Sequence, residues 1–545
     1  MALSEETGFS RRPQALRWIL FAAFAVGAAH CLHYYAQGLT TAHYDAKAHL
    51  LVARRIVDSM EPGYAQMGVH WLPLIHLLYL PIVMFDSQYR SGLLPALISV
   101  AAFALSVVLT YKISYRFTGS AGAALLSAVV LAANPNLLYL QSCPLTEPLY
   151  MLLMLLALDG LIAWRESNHA RLPWAAAAWA SLGALGRYEG WYFMAGVLLL
   201  LANDWRIRYL PRRTALRAGA VYLVVFAAPA AAHFGYIYHR LGDSFFLRVA
   251  QGNPDPYLTY KRPFLSALYH LGELSQVATV LPLVLAAAGV LLFLNERRDW
   301  NRRAPLLLLW VPSLINISAL YWGLIYLLRY SVLLLPAVGV FAALAMRRGQ
   351  AARRPLLPAC IAAMAMPWVC WLSARINPSS RLDPGPGLLL LPAAALVLFL
   401  AAEALGRHVP AAILLCALGM LIPALARENR PMMAETLEHE FMEPERREVL
   451  RYLERNYDGR QILIDMGRQA PLVYDSGLPV RSFIYNEGEG ARWHEALKAP
   501  AEAVGWLIAE DGDALSERLR ERPDLTAGFL LAVRTGSFSV YRLSR

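Results

Sequence analysis

Four short stretches of this 545-residue chain hold side chains able to do chemistry, each set beside apolar sequence. The first, Thr41-Ala-His-Tyr-Asp45-Ala-Lys47-Ala-His49, offers a lone carboxylate with a lysine and a histidine as neighbours. A carboxylate of this kind can take the proton of an attacking hydroxyl. It can equally be a solvated group paired with Lys47. The second, Leu145-Thr-Glu147-Pro-Leu-Tyr150, places another acid before an apolar run, where Thr146 could cap a helix with Pro148 in its first turn. The third, Leu185-Gly-Arg187-Tyr-Glu189-Gly-Trp191, is a charged pair that either ties two helix ends or, with Gly186 and Gly190 beside it, lets a ligand approach the backbone. The fourth, Leu327-Leu-Arg329-Tyr330, leads into a run containing Pro336, and its arginine suits an anion such as phosphate.

The elements that must position these groups are membrane helices. Hydrophobic residues make up 57% of the chain and charged ones 16%, too little polar surface for a soluble protein of this length. Runs of roughly 17–25 apolar residues are expected to cross a bilayer. Such runs, some shorter, lie near Trp18–Ala36, Leu93–Tyr111, Ala121–Leu140, Pro148–Ala163, Trp174–Gly186, Trp191–Leu201, Ala218–Tyr238, Ser275–Leu294, Ala304–Leu327, Ser331–Met346, Leu356–Ser373, Leu388–Leu405 and Val409–Leu425, about 13 transmembrane helices. Trp71–Phe85, broken by Pro73 and Pro81, suits a helix lying along the interface within the first outer loop, residues 37–92. The net charge of +11 gathers in arginine clusters at alternate ends of these runs, from Arg11/Arg12/Arg17 through Arg206/Arg208/Arg212/Arg213 to Arg347/Arg348 and Arg407. That pattern marks cytoplasmic loops rather than a nucleic-acid surface, and it puts all four stretches on the outer face. The first run reads as an uncleaved anchor, since many spans follow it. The five cysteines form no C-x-x-C pair and indicate neither a disulfide frame nor a zinc site.

From about Arg427 the long apolar runs stop, which predicts a small extracytoplasmic α/β domain over 427–545 behind a transmembrane region over 1–426. Helices are expected at Glu435–Tyr457 and Asp513–Arg520. Strands are expected at Gln461–Asp465, Arg481–Tyr485, Gly505–Ala509, Gly528–Val533 and Phe538–Leu543. No phosphate-cradling glycine loop or H-E-x-x-H occurs, so a supporting or acceptor-recruiting role is expected of this domain.

Taken in order, the four stretches resemble the GT-C superfamily of integral-membrane glycosyltransferases, whose relatives include protein O-mannosyltransferases and lipid A aminoarabinose transferases. The resemblance covers nearly the whole chain. Asp45 matches the catalytic aspartate that opens the first outer loop. His70-Trp-Leu-Pro73-Leu74-Ile-His76 is similar to the H-P-P-L-G-K pattern of the interfacial helix, Glu147 to the acid before the fourth span, Arg187-Tyr-Glu189-Gly-Trp191 to the basic-acidic stretch before the sixth, and Arg329-Tyr330 with Pro336 to an R-Y-x-x-x-x-x-P element. Three departures stand out: Asp45-Ala46 replaces an Asp-Glu pair, His76 replaces a lysine, and no D-x-D lies in an outer loop. The first argues against protein O-mannosylation and the third against metal-dependent oligosaccharyl transfer.

The resemblance implies transfer of a hexose or pentose from a polyprenyl-phosphate donor to a hydroxyl acceptor, a glycan, lipid or protein, at the outer face of a bacterial inner membrane. Asp45 would be the base and Glu147 a second catalytic acid. Arg329, Arg187, Lys261, Arg262 and His76 would face the donor phosphate and lipid; Lys47, His49, Glu189 and Tyr330 would line the substrate site. No metal ligand set is assigned and no cofactor is required, although Asp45 with Glu147 would suffice for a weakly held divalent cation. Two other functions fit parts of the pattern: a ligase or polymerase of lipid-linked glycans, and a lipid or sugar flippase. A flippase predicts internal repeats and charges at mid-membrane, and neither is evident here.

Overall fold

The computed structural model describes residues 13–167, 169, 171–242, 261–296, 299–324, 326–346, 413–415, 436, 443–488 and 490–544. Helices α1 (Pro13–Ala36), α2 (Tyr44–Asp58), α3 (Pro73–Val83), α4 (Asp86–Ser91), α5 (Leu93–Thr118), α6 (Ala121–Ala132) and α7 (Pro135–Leu140) come first. Then follow α8 (Glu147–Arg165), α9 (Trp174–Gly186), α10 (Glu189–Arg206), α11 (Arg212–Leu241), α12 (Pro263–Ala278) and α13 (Val280–Asn295). After α14 (Trp300–Arg303), α15 (Val311–Trp322) and α16 (Leu335–Ala345), the carboxyl-terminal segment adds α17 (Glu443–Asn456), α18 (Met466–Asp475), α19 (Gly490–Ala496), α20 (Pro500–Ala503) and α21 (Ala514–Glu521).

Two compact units result, one of Met1–Tyr34, Leu97–Pro229 and Gly252–Glu435, the other of Tyr35–Ala96, Ala230–Gln251 and Thr436–Arg545. Among the described residues, six segments are long and apolar enough to cross a membrane: Gln14–Ala36, Leu93–Thr118, Glu147–Arg165, Arg212–Leu241, Trp300–Trp322 and Leu328–Ala345. The chain is an integral membrane protein. The runs expected at Leu356–Ser373 and Leu388–Leu405 lie outside the described residues, as does that at Val409–Leu425 apart from 413–415.

Several expected spans are interrupted, and the sequence explains where. Ala121–Leu140 breaks between α6 and α7 because Pro135 disfavours a helical Asn134. Asn134 then caps α7, its Oδ1 accepting from the Leu137 amide at 3.0 Å. Ser275–Leu294 breaks after Ala278, four residues before Pro282, whose ring would clash with that carbonyl in a continuous helix. Asn134 Nδ2 also donates to the Val277 carbonyl at 2.7 Å, so one buried amide serves both breaks. An unsatisfied carbonyl at membrane depth would cost several kcal/mol, on the order given for transfer of such groups into hydrocarbon.

The second unit is built on a five-stranded sheet, β1 (Ile462–Ile464), β2 (Phe483–Tyr485), β3 (Trp506–Glu510), β4 (Phe529–Thr535) and β5 (Phe538–Leu543), in the order β2-β1-β3-β5-β4. Strands β2, β1 and β3 run parallel, and β5 is antiparallel to β3 and β4. All five fall within a few residues of the segments read as strands. Leu463, Ile484 and Leu507 turn to a face covered by Trp493, Leu515 and Leu519. Ile462, Ile464, Phe483, Trp506 and Ile508 turn to the other face, with Val449 and Leu453 of α17 and with Ala48 and Leu51 of α2. The loop expected at residues 37–92 falls within the second unit, where Ala48 and Leu51 share a core with the carboxyl-terminal segment. Helix α3 has 11 residues, about 16 Å at 1.5 Å per residue, too short to cross a bilayer, and leaves Leu77 and Leu78 exposed.

Candidate active site

Three of the four stretches meet in the first unit. Glu147 opens α8, Arg187 caps the end of α9, Glu189 opens α10, and Arg329 and Tyr330 lie in a 3-10 turn, Leu328–Leu334, before α16. Arg187 Nη1 donates to Glu147 Oε1 at 2.8 Å and to Thr146 Oγ1 at 2.7 Å. Its Nη2 donates to Glu189 Oε1 at 2.6 Å. Arg329 Nε lies 3.4 Å from the same Glu147 Oε1. Both guanidinium carbons lie over the Tyr330 ring, at 5.2 and 5.4 Å from its centroid. Two cations and two anions thus balance in a pocket where Glu147 is wholly buried and Arg329 is 4% exposed.

This geometry decides between readings that the sequence left open. Thr146 makes no cap bond, because its hydroxyl accepts from Arg187 instead. Gly190 serves the backbone of the protein itself rather than a ligand: a Cβ there would stand 2.5 Å from Ala184 Cα, so the residue must be glycine for α10 to pass α9. Among the described residues no group of three histidine, cysteine or acidic side chains could hold a metal ion. Lys261 and Arg262 are exposed ahead of α12, with the Lys261 amide donating to the Tyr321 carbonyl at 2.6 Å. Two surface cavities, of about 590 and 1090 Å³, include none of the expected site residues. They are lined by Trp174 and Arg217, and by Trp205 and Arg212, at the ends of α9 and α10 away from Arg187 and Glu189.

The remaining candidates lie in the second unit. Asp45 is half-buried in the first turn of α2, where its amide donates to His43 Nδ1 at 3.0 Å. Lys47 bonds Asp475 of α18 at 2.6 Å, so its ammonium serves that carboxylate. His49 Nδ1 and His76 Nε2 are 3.0 Å apart, and His76 Nδ1 lies 2.9 Å from the Leu72 carbonyl. A carbonyl only accepts, so His76 Nδ1 carries the proton and His49 Nδ1–H donates to His76 Nε2. Burial, followed by the nearby His49, pushes His76 well below the usual imidazole range. It is a neutral ring that organises His49 rather than a cation like the lysine it replaces in the pattern.

Sequence reasoning missed a second buried centre in this unit. Arg55 is 1% exposed and donates to the carbonyls of Gln66 and Met67 and, at 3.0 Å, to Glu487 Oε2. His70 Nδ1 approaches Glu487 Oε1 at 3.0 Å. Burial opposes the charge on Glu487, but the His70 hydrogen bond and Arg55 outweigh it and hold the carboxyl at about 2. Because this value lies below the ordinary 4.5, the stabilisation is complete above about pH 4.5 and is lost as the pH falls towards 2. No local signal in Arg54-Arg55 or Asn486-Glu487-Gly488 announces the pair, whose members are 432 residues apart.

No family model and no curated protein matches the sequence. Solved structures do. ArnT from Cupriavidus metallidurans bound to undecaprenyl phosphate aligns with a TM-score of 0.56 at 15% identity, over 95% of this chain and 97% of that one. Its apo form aligns at 0.55 and 14%, with the same coverage. The chain therefore has the fold of ArnT.

Proposed function

We propose that this protein is a glycosyltransferase that moves a sugar from a polyprenyl-phosphate donor to a hydroxyl acceptor at the outer face of a bacterial inner membrane. The observation that carries this reading is the convergence of Glu147, Arg187, Glu189, Arg329 and Tyr330 in one buried cluster, in a fold shared with a protein solved with undecaprenyl phosphate. Asp45 takes the proton of the acceptor hydroxyl as its oxygen attacks the anomeric carbon. The bond from that carbon to the phosphate oxygen breaks, and polyprenyl phosphate leaves with the electron pair. Arg329, with Arg187 beside it, stabilises the charge that grows on the phosphate. Glu147 keeps the two guanidiniums together, its Oε1 accepting from Arg187 at 2.8 Å with Arg329 Nε at 3.4 Å.

The test is transfer by the purified protein from a panel of undecaprenyl-phosphate sugars to glycan and lipid acceptors. Arg329→Ala is expected to raise the donor KM roughly ten- to hundredfold, the worth of a charge-assisted bond of about 1.5–3 kcal/mol. Arg329→Lys, which keeps the charge without the fork, is expected to lose less. Unchanged donor saturation in the alanine variant would move the phosphate to Arg187 or to Lys261 and Arg262. Orientation is tested by thiol labelling of intact cells: a cysteine placed at Ser87 is expected to react with an impermeant reagent and one at Asn203 to remain protected. The opposite pattern would place the site in the cytoplasm.

A further inference from the structure

We infer that the carboxyl-terminal α/β segment is a working part of the transfer centre, because it grips α2 along its whole length and thereby fixes Asp45. The inference rests on the reading of Asp45 as the base.

The grip begins beside the carboxylate. Tyr44 OH donates to the Gly467 carbonyl, at the start of α18, at 2.6 Å. Lys47 meets Asp475 at the end of α18 at 2.6 Å, so the residues on either side of Asp45-Ala46 are tied to opposite ends of one helix. One turn on, Ala48 and Leu51 enter the core beneath β1 and β3 with Met466 and Leu472. At the far end, Arg55 reaches Glu487 after β2, and Asp58 accepts from the Val480 amide at 3.3 Å. Two glycines make this end possible. Gly68 and Gly488 have φ of +73° and +79°, and a Cβ on either would meet Arg55 Nη2 at 2.7 Å or Gln66 Oε1 at 2.6 Å.

A helix carrying an exposed base in an ordinary loop needs none of this. Four separate polar ties and a shared core over 15 residues remove the freedom of α2 to rock or slide, which is the condition for holding a base within a fraction of an ångström of a productive position. Tyr44 and the Lys47–Asp475 pair are therefore positioning residues: their polar atoms are engaged with Gly467 and with one another, and they act through Asp45.

The experiment is a double-mutant cycle on the full-length protein in nanodiscs, with the undecaprenyl-phosphate sugar that gives turnover as substrate and undecaprenyl phosphate itself as binding probe. Tyr44→Phe is expected to lower kcat roughly three- to tenfold, the net worth of one hydrogen bond, with donor KM and undecaprenyl phosphate binding unchanged. In an Asp45→Asn background, the same change is expected to cost nothing further, because the group it positions is gone. Asp475→Lys is expected to lower kcat, and Lys47→Asp added to it is expected to restore it. Hydrogen exchange at residues 44–48 is expected to quicken in Tyr44→Phe at unchanged melting temperature. An unaltered kcat in Tyr44→Phe, or a loss that multiplies through in Asp45→Asn, overturns the inference while leaving Asp45 as base. Near-normal turnover by Asp45→Asn overturns the base assignment, and this inference with it.

Discussion

Asp45→Asn is expected to lower turnover about 10²–10⁴-fold while leaving undecaprenyl phosphate binding and folded yield close to those of the unaltered protein. The amide keeps the size of the carboxylate and most of its hydrogen bonding, but it cannot accept the proton of the acceptor. The rival expectation, that Asp45 is a surface partner of Lys47, predicts a cost of about 0–1 kcal/mol. Lys47 bonds Asp475 at 2.6 Å, and residues two apart on a helix do not face one another. The first turn of α2 also suits a negative charge, since the helix dipole is positive at its amino end. The measurement is single-turnover transfer beside a binding titration. A variant that binds the lipid and still turns over within a few-fold of normal would remove Asp45 from the chemistry.

What the sequence disclosed and what it hid follow from the distance over which each feature is determined. The five strands were legible because each is a short β-rich run set off by turn residues, and strand character of this kind is a local property. Helix α18 was not. Met466–Asp475 contains Gly467 and Pro471 and kinks at Gln469, so it reads as a turn; it forms a helix because Asp465 caps it and its apolar side covers β1. The breaks at Asn134 and before Pro282 were written in the chain and could have been read from the prolines alone. In the site, the residue types of the three stretches that meet were legible, since each charge stands out beside apolar sequence. Which charges neutralise which was not legible. Arg187 lies 2 residues from Glu189 and 40 from Glu147, and it binds both. Arg55 and Lys47 find their partners more than 400 residues away, and such pairings depend on the packing of α2 against the sheet rather than on any run of sequence.

Glu147→Gln is expected to destabilise the protein by about 3–5 kcal/mol, the cost of breaking a buried ion pair from one side. Glutamine retains the shape of the glutamate, so packing around α8 is preserved and the change isolates the charge. Before substitution, two guanidiniums face two carboxylates; afterwards Arg187 keeps Glu189, while Arg329 loses the carboxylate that its Nε approaches at 3.4 Å. The cluster then carries one negative charge fewer, and a phosphate arriving there would bring an anion in its place. Undecaprenyl phosphate should therefore raise the melting temperature of Glu147→Gln by more than it raises that of the unaltered protein, because stabilisation by a ligand grows with the logarithm of its affinity for the folded state. Thermal unfolding in detergent, with and without the lipid, measures both effects. A base at position 147 predicts a different result: turnover lost, stability unchanged and no added gain from the lipid. The lipid-dependent gain separates these outcomes even where the variant is too unstable for kinetics, since it is read from the folded fraction alone.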